Sequence, residues 1–291
     1  MSKNNRSQPG FGEKLLGWLF ILLPHHLISR LVYFLTRIKT PLATPVIRWF
    51  IKTFKVDMSD AEIQIIEQYD CFNDFFVREL TDHARPVASA ENAVASPVDG
   101  TVSQCGTIMQ GHLFQAKDQF YSVEDLLGGD RLMAHMFEGG QFATIYLAPY
   151  NYHRIHMPVD GLLKKMIHVP GRLFSVAPWT VRQISRLFAR NERVVCLFST
   201  SSGPMAMILV GAINVAAIET VWHGLVTPPK GKKVSEFDYE HTEKKFAKGE
   251  EMGRFNMGST VILLTTDKVQ LENLQQQQTL RMGQPIGSIR N

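Results

Sequence analysis

Gly258-Ser259-Thr260 stands directly before the apolar run Val261-Ile262-Leu263-Leu264. A small hydroxyl residue is thereby set at the mouth of an expected strand. A serine after glycine can attack the preceding carbonyl carbon with its own Oγ, moving the acyl chain from nitrogen to oxygen. β-Elimination of that ester cuts the chain and leaves a dehydroalanine. Tautomerisation and hydrolysis turn this into a pyruvoyl group that blocks the new amino end. Its ketone is an electron sink of the kind pyridoxal phosphate supplies. The plainer reading of the same residues is a turn leading into a strand.

A serine hydroxyl is a poor nucleophile until a base takes its proton, and the base needs an orienting carboxylate. Two further segments offer such groups. Tyr152-His153-Arg154-Ile155-His156-Met157-Pro158 places two histidines three residues apart after an apolar stretch, giving two acid/base groups that titrate near neutrality. In extended backbone they face opposite sides, so a bend is needed to aim both at one place. No cysteine, histidine or acidic cluster of ligand spacing accompanies them, which argues against a metal site. Ser96-Pro97-Val98-Asp99-Gly100-Thr101-Val102 carries Asp-Gly, a tight-turn pair. Asp99 reads as a turn acid or as the carboxylate that orients a base.

The elements expected to hold these groups change character along the chain. Residues 11–23, 26–38 and 42–54 read as three short helices broken at Pro24 and near Pro41-Pro45, the second with Leu27, Leu31, Phe34, Leu35 and Ile38 at helical spacing. Ser59-Asp60-Ala61-Glu62 is a capping-box pattern that predicts a helix to about Gln68, and Asn73 caps another over 74–80. After Arg85-Pro86 the chain turns to short β-rich runs, at 94–103, 107–116, 142–148, 161–169, 193–200, 205–212, 215–222 and 260–266. Ser122 opens a short helix that ends at Gly128-Gly129, and 180–189 reads as another. Residues 228–251, rich in Pro, Lys, Glu and Gly, read as a mobile loop. The expected fold is α+β: a helical region over 1–85, then a β-rich domain of short, mostly antiparallel strands over 86–291.

Of the 291 residues 45% are hydrophobic and 20% charged, an ordinary globular composition. The net charge of +4 is unevenly placed. Residues 1–56 hold nine Lys/Arg against Glu13, a net of +8, leaving −4 for the rest. A basic, apolar amino end on a mildly acidic body suits an anionic membrane surface. The aromatics lie in apolar runs and not among the basic residues, which argues against a nucleic-acid partner, and none is expected. The apolar run Leu15–Leu23 is nine residues long, short of the ~20 needed to span a bilayer, and no small-x-small cleavage site follows it. The amino end is expected to lie on a membrane without crossing it. Three scattered cysteines without Cys-x-x-Cys spacing fit a reducing compartment.

The segment Lys248-Gly249-Glu250-Glu251-Met252-Gly253-Arg254-Phe255-Asn256-Met257-Gly258-Ser259-Thr260 resembles the self-cleavage segment of the pyruvoyl-dependent phosphatidylserine decarboxylases of bacteria. Met257 replaces the family's usual leucine with a side chain of similar volume. The histidine and Pro-x-Asp-Gly segments match the same family, as do Gly171–Val176, Phe188–Arg193, Gly203–Ala206, Val210–Ala212 and Glu219–Trp222. Departures fall at Ala177-Pro178 and His223. The resemblance implies a proenzyme cut between Gly258 and Ser259 into a large and a small chain, with a covalent pyruvoyl group from Ser259 as cofactor. It implies a triad of Asp99, His156 and Ser259 for maturation, and His153, with His156 as alternate, as proton donor in turnover. The implied reaction is decarboxylation of phosphatidylserine to phosphatidylethanolamine through a Schiff base, in phospholipid biosynthesis. The implied setting is peripheral, at the cytoplasmic face of the inner membrane, with a homodimer among the allowed assemblies.

Three other classes fit less well. A soluble pyruvoyl-dependent amino-acid decarboxylase does not need the basic apolar amino end. A carrier-like β module shares Pro-Val-Asp-Gly-x-Val but needs a modifiable Met-Lys pair at a turn, which is absent. A serine hydrolase needs a Gly-x-Ser-x-Gly elbow, also absent around Ser259.

Overall fold

A computed structural model describes residues 24–116, 119–213, 217–228, 233–272 and 274–290. The helix expected over 11–23 lies outside them. Helix α1 (His25–Leu35) and helix α2 (Ala43–Phe54) form close to their expected bounds. α2 turns Ala43, Ile47 and Phe50 inward, the i, i+4, i+7 stripe of a packed helix. It ends where Lys55 enters the left-handed region at φ 54°, its N–H donating to Ile51 O. α1 is inverted. Its buried residues are His25 and Ser29, whereas Leu27 and Phe34 are each 67% exposed.

Two helix expectations fail for local reasons. The capping box opens no helix, because the Ser59 N–H and hydroxyl both donate to Asp57 Oδ1 at 2.9 and 2.7 Å. Ala61 instead bridges Leu80, and a single 3-10 turn forms at Ile66–Gln68. Helix α3 runs Phe72–Phe76, starting after the extended Cys71, so Asn73 lies inside it and does not cap it. It cannot continue to residue 80: the Val77 carbonyl accepts from Arg154 Nε at 2.9 Å, and the Thr81 N–H donates to Asp60 O. α2, α3 and the 3-10 turn enclose an aromatic cluster, with Phe50 5.1 Å from Phe72 and 6.0 Å from Phe75 between ring centroids. Met257 packs against this cluster from the other end of the sequence.

The β part is α+β in the expected sense, and every ladder between its strands is antiparallel among the described residues. A nine-stranded sheet has Thr260–Thr265 near its centre, between Gly203–Val210 and Gln141–Tyr146. All six residues of that strand are buried, which is why it reads as a continuous apolar run. A four-stranded sheet contains Arg154–His156, Glu251–Phe255, Ile218–Thr220 and Gly224–Thr227. A third sheet joins Ala93–Ala95, Pro285–Ile289 and Val269–Leu271. The stretch expected as one strand over 94–103 is therefore two, Ala93–Ala95 and Gly100–Thr107, divided by the turn that carries Asp99. The expected loop over 228–251 contains Ser235–Asp238 and Lys245–Phe246, both paired with Gly161–Val169. Their exposed, charged outer faces hid them in the composition. The helix expected over 180–189 is two single turns, Pro178–Val181 and Leu187–Arg190.

Candidate active site

Between residues 255 and 260 the chain leaves the four-stranded sheet and enters the nine-stranded one. Both ends of this crossing are fixed. The Phe255 N–H donates to His153 O at 3.0 Å and the Asn256 N–H to Ala217 O at 3.0 Å. The Asn256 side-chain amide donates to Glu219 Oε1 at 2.9 Å. Beyond the crossing, Ser259 O accepts from the Leu147 N–H at 2.8 Å, and Thr260 pairs with Tyr146 and Val210. Ser259 is fully buried and its Oγ has no hydrogen-bond partner. An unpartnered buried hydroxyl costs stability and calls for a functional reason.

His153 lies beside Gly258. A Cβ added to Gly258 would sit 3.4 Å from His153 Nε2 and 3.2 Å from Leu147 O, so a side chain there would be tight against that carbonyl. The imidazole is fully buried and tilted against the Phe76 ring at 4.1 Å between centroids. Neither ring nitrogen makes a hydrogen bond of ordinary geometry. Burial, and then the Arg78 charge, lower its pKa from 6.5 to about 3, with the backbone of Asn151 opposing weakly. His153 is therefore neutral at physiological pH.

His156 is held differently. Its Nδ1 lies 2.8 Å from Gly249 O, which can only accept, so Nδ1 carries the proton and Nε2 presents a lone pair. The Tyr152 hydroxyl, 3.1 Å away, donates to that lone pair, and burial raises the Tyr152 pKa so that the hydroxyl keeps its proton. Burial also lowers the His156 pKa, with the Gly249 carbonyl, Glu251 and, further down, Asp99 working the other way. Gly249 has φ 85°, and a Cβ there would meet Val87 at 2.6 Å. Only glycine brings that carbonyl to the ring.

Asp99 is gripped by Arg85, whose Nε donates to Oδ1 at 2.9 Å and whose Nη2 donates to Oδ2 at 2.6 Å, and by the Met282 N–H at 2.8 Å. The His156 N–H donates to Pro97 O, two residues before Asp99, so the two segments are neighbours. Asp99, His156 and Ser259 are nonetheless not hydrogen-bonded to one another in this structure. Of the predicted histidines, His153 is the one whose ring lies beside Gly258. The sequence reading missed Arg85, Gly249 and Phe76 as positioning groups. A signal existed for two: Gly249 belongs to the quoted segment and Arg85-Pro86 marks the change to β structure.

An open cavity of about 200 Å³ reaches Gly258 and Met257, with Phe50, Phe54 and Phe76 on one wall and Ala177 on the other. The departure at Ala177 thus does fall on the cavity rim. His223 lies elsewhere, with Nδ1 3.0 Å from the Tyr239 hydroxyl.

The description phosphatidylserine decarboxylase attaches to a family model that matches residues 72–288, and a second model, PSD, matches 15–55. The chain belongs to the phosphatidylserine decarboxylase family. A relative from Alkalilimnicola ehrlichii named phosphatidylserine decarboxylase proenzyme is 51% identical over 92% of this chain and 94% of its own. One from Shewanella frigidimarina is 50% identical over 92% and 96%, and one from Stutzerimonas stutzeri 51% over 91% of each. Both carry the same name. The family match spans α3, which supplies Phe76, and all the sheets around the crossing.

Proposed function

We propose that this chain decarboxylates phosphatidylserine to phosphatidylethanolamine after cutting itself between Gly258 and Ser259. The observation that carries the reading is the buried, unpartnered Ser259 Oγ at the crossing, with a glycine before it and His153 Nε2 against that glycine. Its Oγ attacks the Gly258 carbonyl carbon, the Gly258–Ser259 C–N bond breaks, and the ester formed is opened by β-elimination. His156, neutral with a free-electron-pair nitrogen, is assigned as the base once the Tyr152 hydroxyl releases it. Asp99 supports the charged form of His156 through its charge. A buried small residue at the mouth of a central strand fits the pyruvoyl group that family members derive from this serine. That group supplies a carbonyl electron sink for loss of carbon dioxide from an amine-bearing substrate. His153 is assigned to the proton exchanged at the substrate Cα. A neutral imidazole holds a proton on one nitrogen and can accept on the other, which suits such exchange.

The division at residue 85 separates a lipid-facing region from the catalytic one in this reading. No helix among the described residues is long and apolar enough to cross a membrane. The outward apolar side chains of α1 and α2 rest on the cytoplasmic face of the inner membrane, drawn by the basic excess. α2 exposes Trp49 on one side and lines the cavity with Phe50 and Phe54 on the other, so a lipid headgroup can reach the site from the bilayer. Intact mass tests the core of the reading. The purified chain should yield a fragment of 33 residues, about 3.7 kDa, with a blocked, hydrazine-reactive amino end. A protein that is active at full mass sinks it.

A further inference from the structure

Among the described residues, arginines are paired when they are buried, with one exception. Arg193, 2% exposed, donates to the carbonyls of Leu126, Ala189, Asn191 and Asp125. Arg85 holds Asp99 and Asp60, and Arg154 holds Glu251, Glu79 and Val77 O. Arg78 is 5% exposed, yet its Nε has no partner, and its guanidinium forms no ion pair or hydrogen bond among the described residues. Its packing contact is the Phe75 ring, 5.5 Å from Cζ to the centroid. A cation taken out of water without compensation weakens the fold, so an uncompensated one at a site suggests a partner that arrives later.

The position of Arg78 supports this. It follows α3 by two residues, and α3 brings Phe76 onto His153, which in turn abuts Gly258. Among the described residues its charge is the ionic influence on His153, and Asp99, already paired with Arg85, and Asp57 act on Arg78 in turn. Of the acids that act on it, Asp99 is held by Arg85 and Asp57 by Ser59, which leaves an oxyanion of the substrate as its direct partner.

We infer that Arg78 is a substrate-binding residue that takes an oxyanion of the phosphatidylserine headgroup, its carboxylate or its phosphodiester. The inference rests on the decarboxylase reading above. A guanidinium fits either group with two parallel N–H···O bonds.

The test uses the full chain with Arg78→Met, which keeps the packing on Phe75, and Arg78→Lys, which keeps the charge. Arg78→Met should cut itself as wild type does by intact mass, and melt at the same temperature or higher. On vesicles of phosphatidylserine in phosphatidylcholine its KM should rise about 10-fold or more, with kcat changed less and Arg78→Lys recovering part. Glycerophosphoserine and glycerophosphoethanolamine as inhibitors then separate the two sources. Equal weakening of both in Arg78→Met assigns the phosphate; weakening of glycerophosphoserine alone assigns the carboxylate. An unchanged KM, a lower melting temperature or an uncut Arg78→Met chain overturns the inference. A wild-type chain that neither cuts nor decarboxylates overturns the underlying reading instead.

Discussion

The helical layer and the β body follow opposite rules for apolar residues. In the central strand Thr260–Thr265 every side chain is buried, and the hydrophobic core gathers around it. In α1 and α2 the apolar residues point both ways: Ile47 and Phe50 into the aromatic cluster, and Leu27, Leu31, Phe34, Val46 and Trp49 outward. A water-facing helix has no use for that second face. The body gathers its apolar residues into one core while the layer leaves part of its own exposed, and Met257 and Gly258 lie where the two meet.

The comparison can be broken at its centre first. Ser259→Ala should give a single uncut chain with no decarboxylase activity, and Asp99→Ala or His156→Ala should also block the cut, all read by intact mass. His153→Ala should cut at least partly and turn over poorly. A His156→Ala chain that matures normally removes His156 from the base role. Next in size, Phe50→Ala should destabilise the fold by about 3–5 kcal/mol in urea unfolding, because the ring is the hub of the aromatic cluster. A loss below 1 kcal/mol would mean the layer is only loosely attached to the body.

A pH series sharpens the contrast further. The folded-state pKa of His153 is depressed from 6.5 to about 3, so the unfolded chain binds the proton first as pH falls. The stability that the neutral ring contributes is complete above about pH 6.5. Below that it should be lost by up to about 1.4 kcal/mol per pH unit, down to about pH 3. A His153→Phe chain should lack this slope in urea melts taken at each pH. The smallest effect on stability is expected on the outer face. Leu31→Glu with Trp49→Glu should change unfolding by less than about 0.5 kcal/mol each, while sedimentation with anionic vesicles falls sharply. Undiminished sedimentation would move the membrane contact elsewhere.

How much was legible depends on whether the decisive contacts were local. Gly161–Val169 and Arg193–Thr200 form over the residues expected, since their pattern reflects their own burial. The Gly258-Ser259 pair was legible because its chemistry involves adjacent atoms. The Asp99–Arg85 pairing was not, because Asp99 read as a turn acid or as the carboxylate that orients a base, and Arg85 lies 14 residues away in the chain. The capping box misled because Asp57, two residues upstream, competes for the same serine. The helical spacing in α1 was read correctly, but spacing alone cannot say whether an apolar stripe meets protein or lipid.

The place of Thr260–Thr265 between two neighbouring strands has a consequence for the life of the molecule after the proposed cut. The short fragment owns a middle slat of the large sheet, and through Val269–Leu271 and Pro285–Ile289 it is woven into another. It cannot drift away while the rest stays folded. Severed and then unfolded, however, the two pieces must find each other again from solution, and the fragment that fills the middle of the sheet no longer arrives tethered. The precursor can refold alone; its product depends on an encounter. Heating a matured sample and cooling it should therefore return far less protein than the same cycle applied to Ser259→Ala, and more at higher protein concentration only until aggregation takes over.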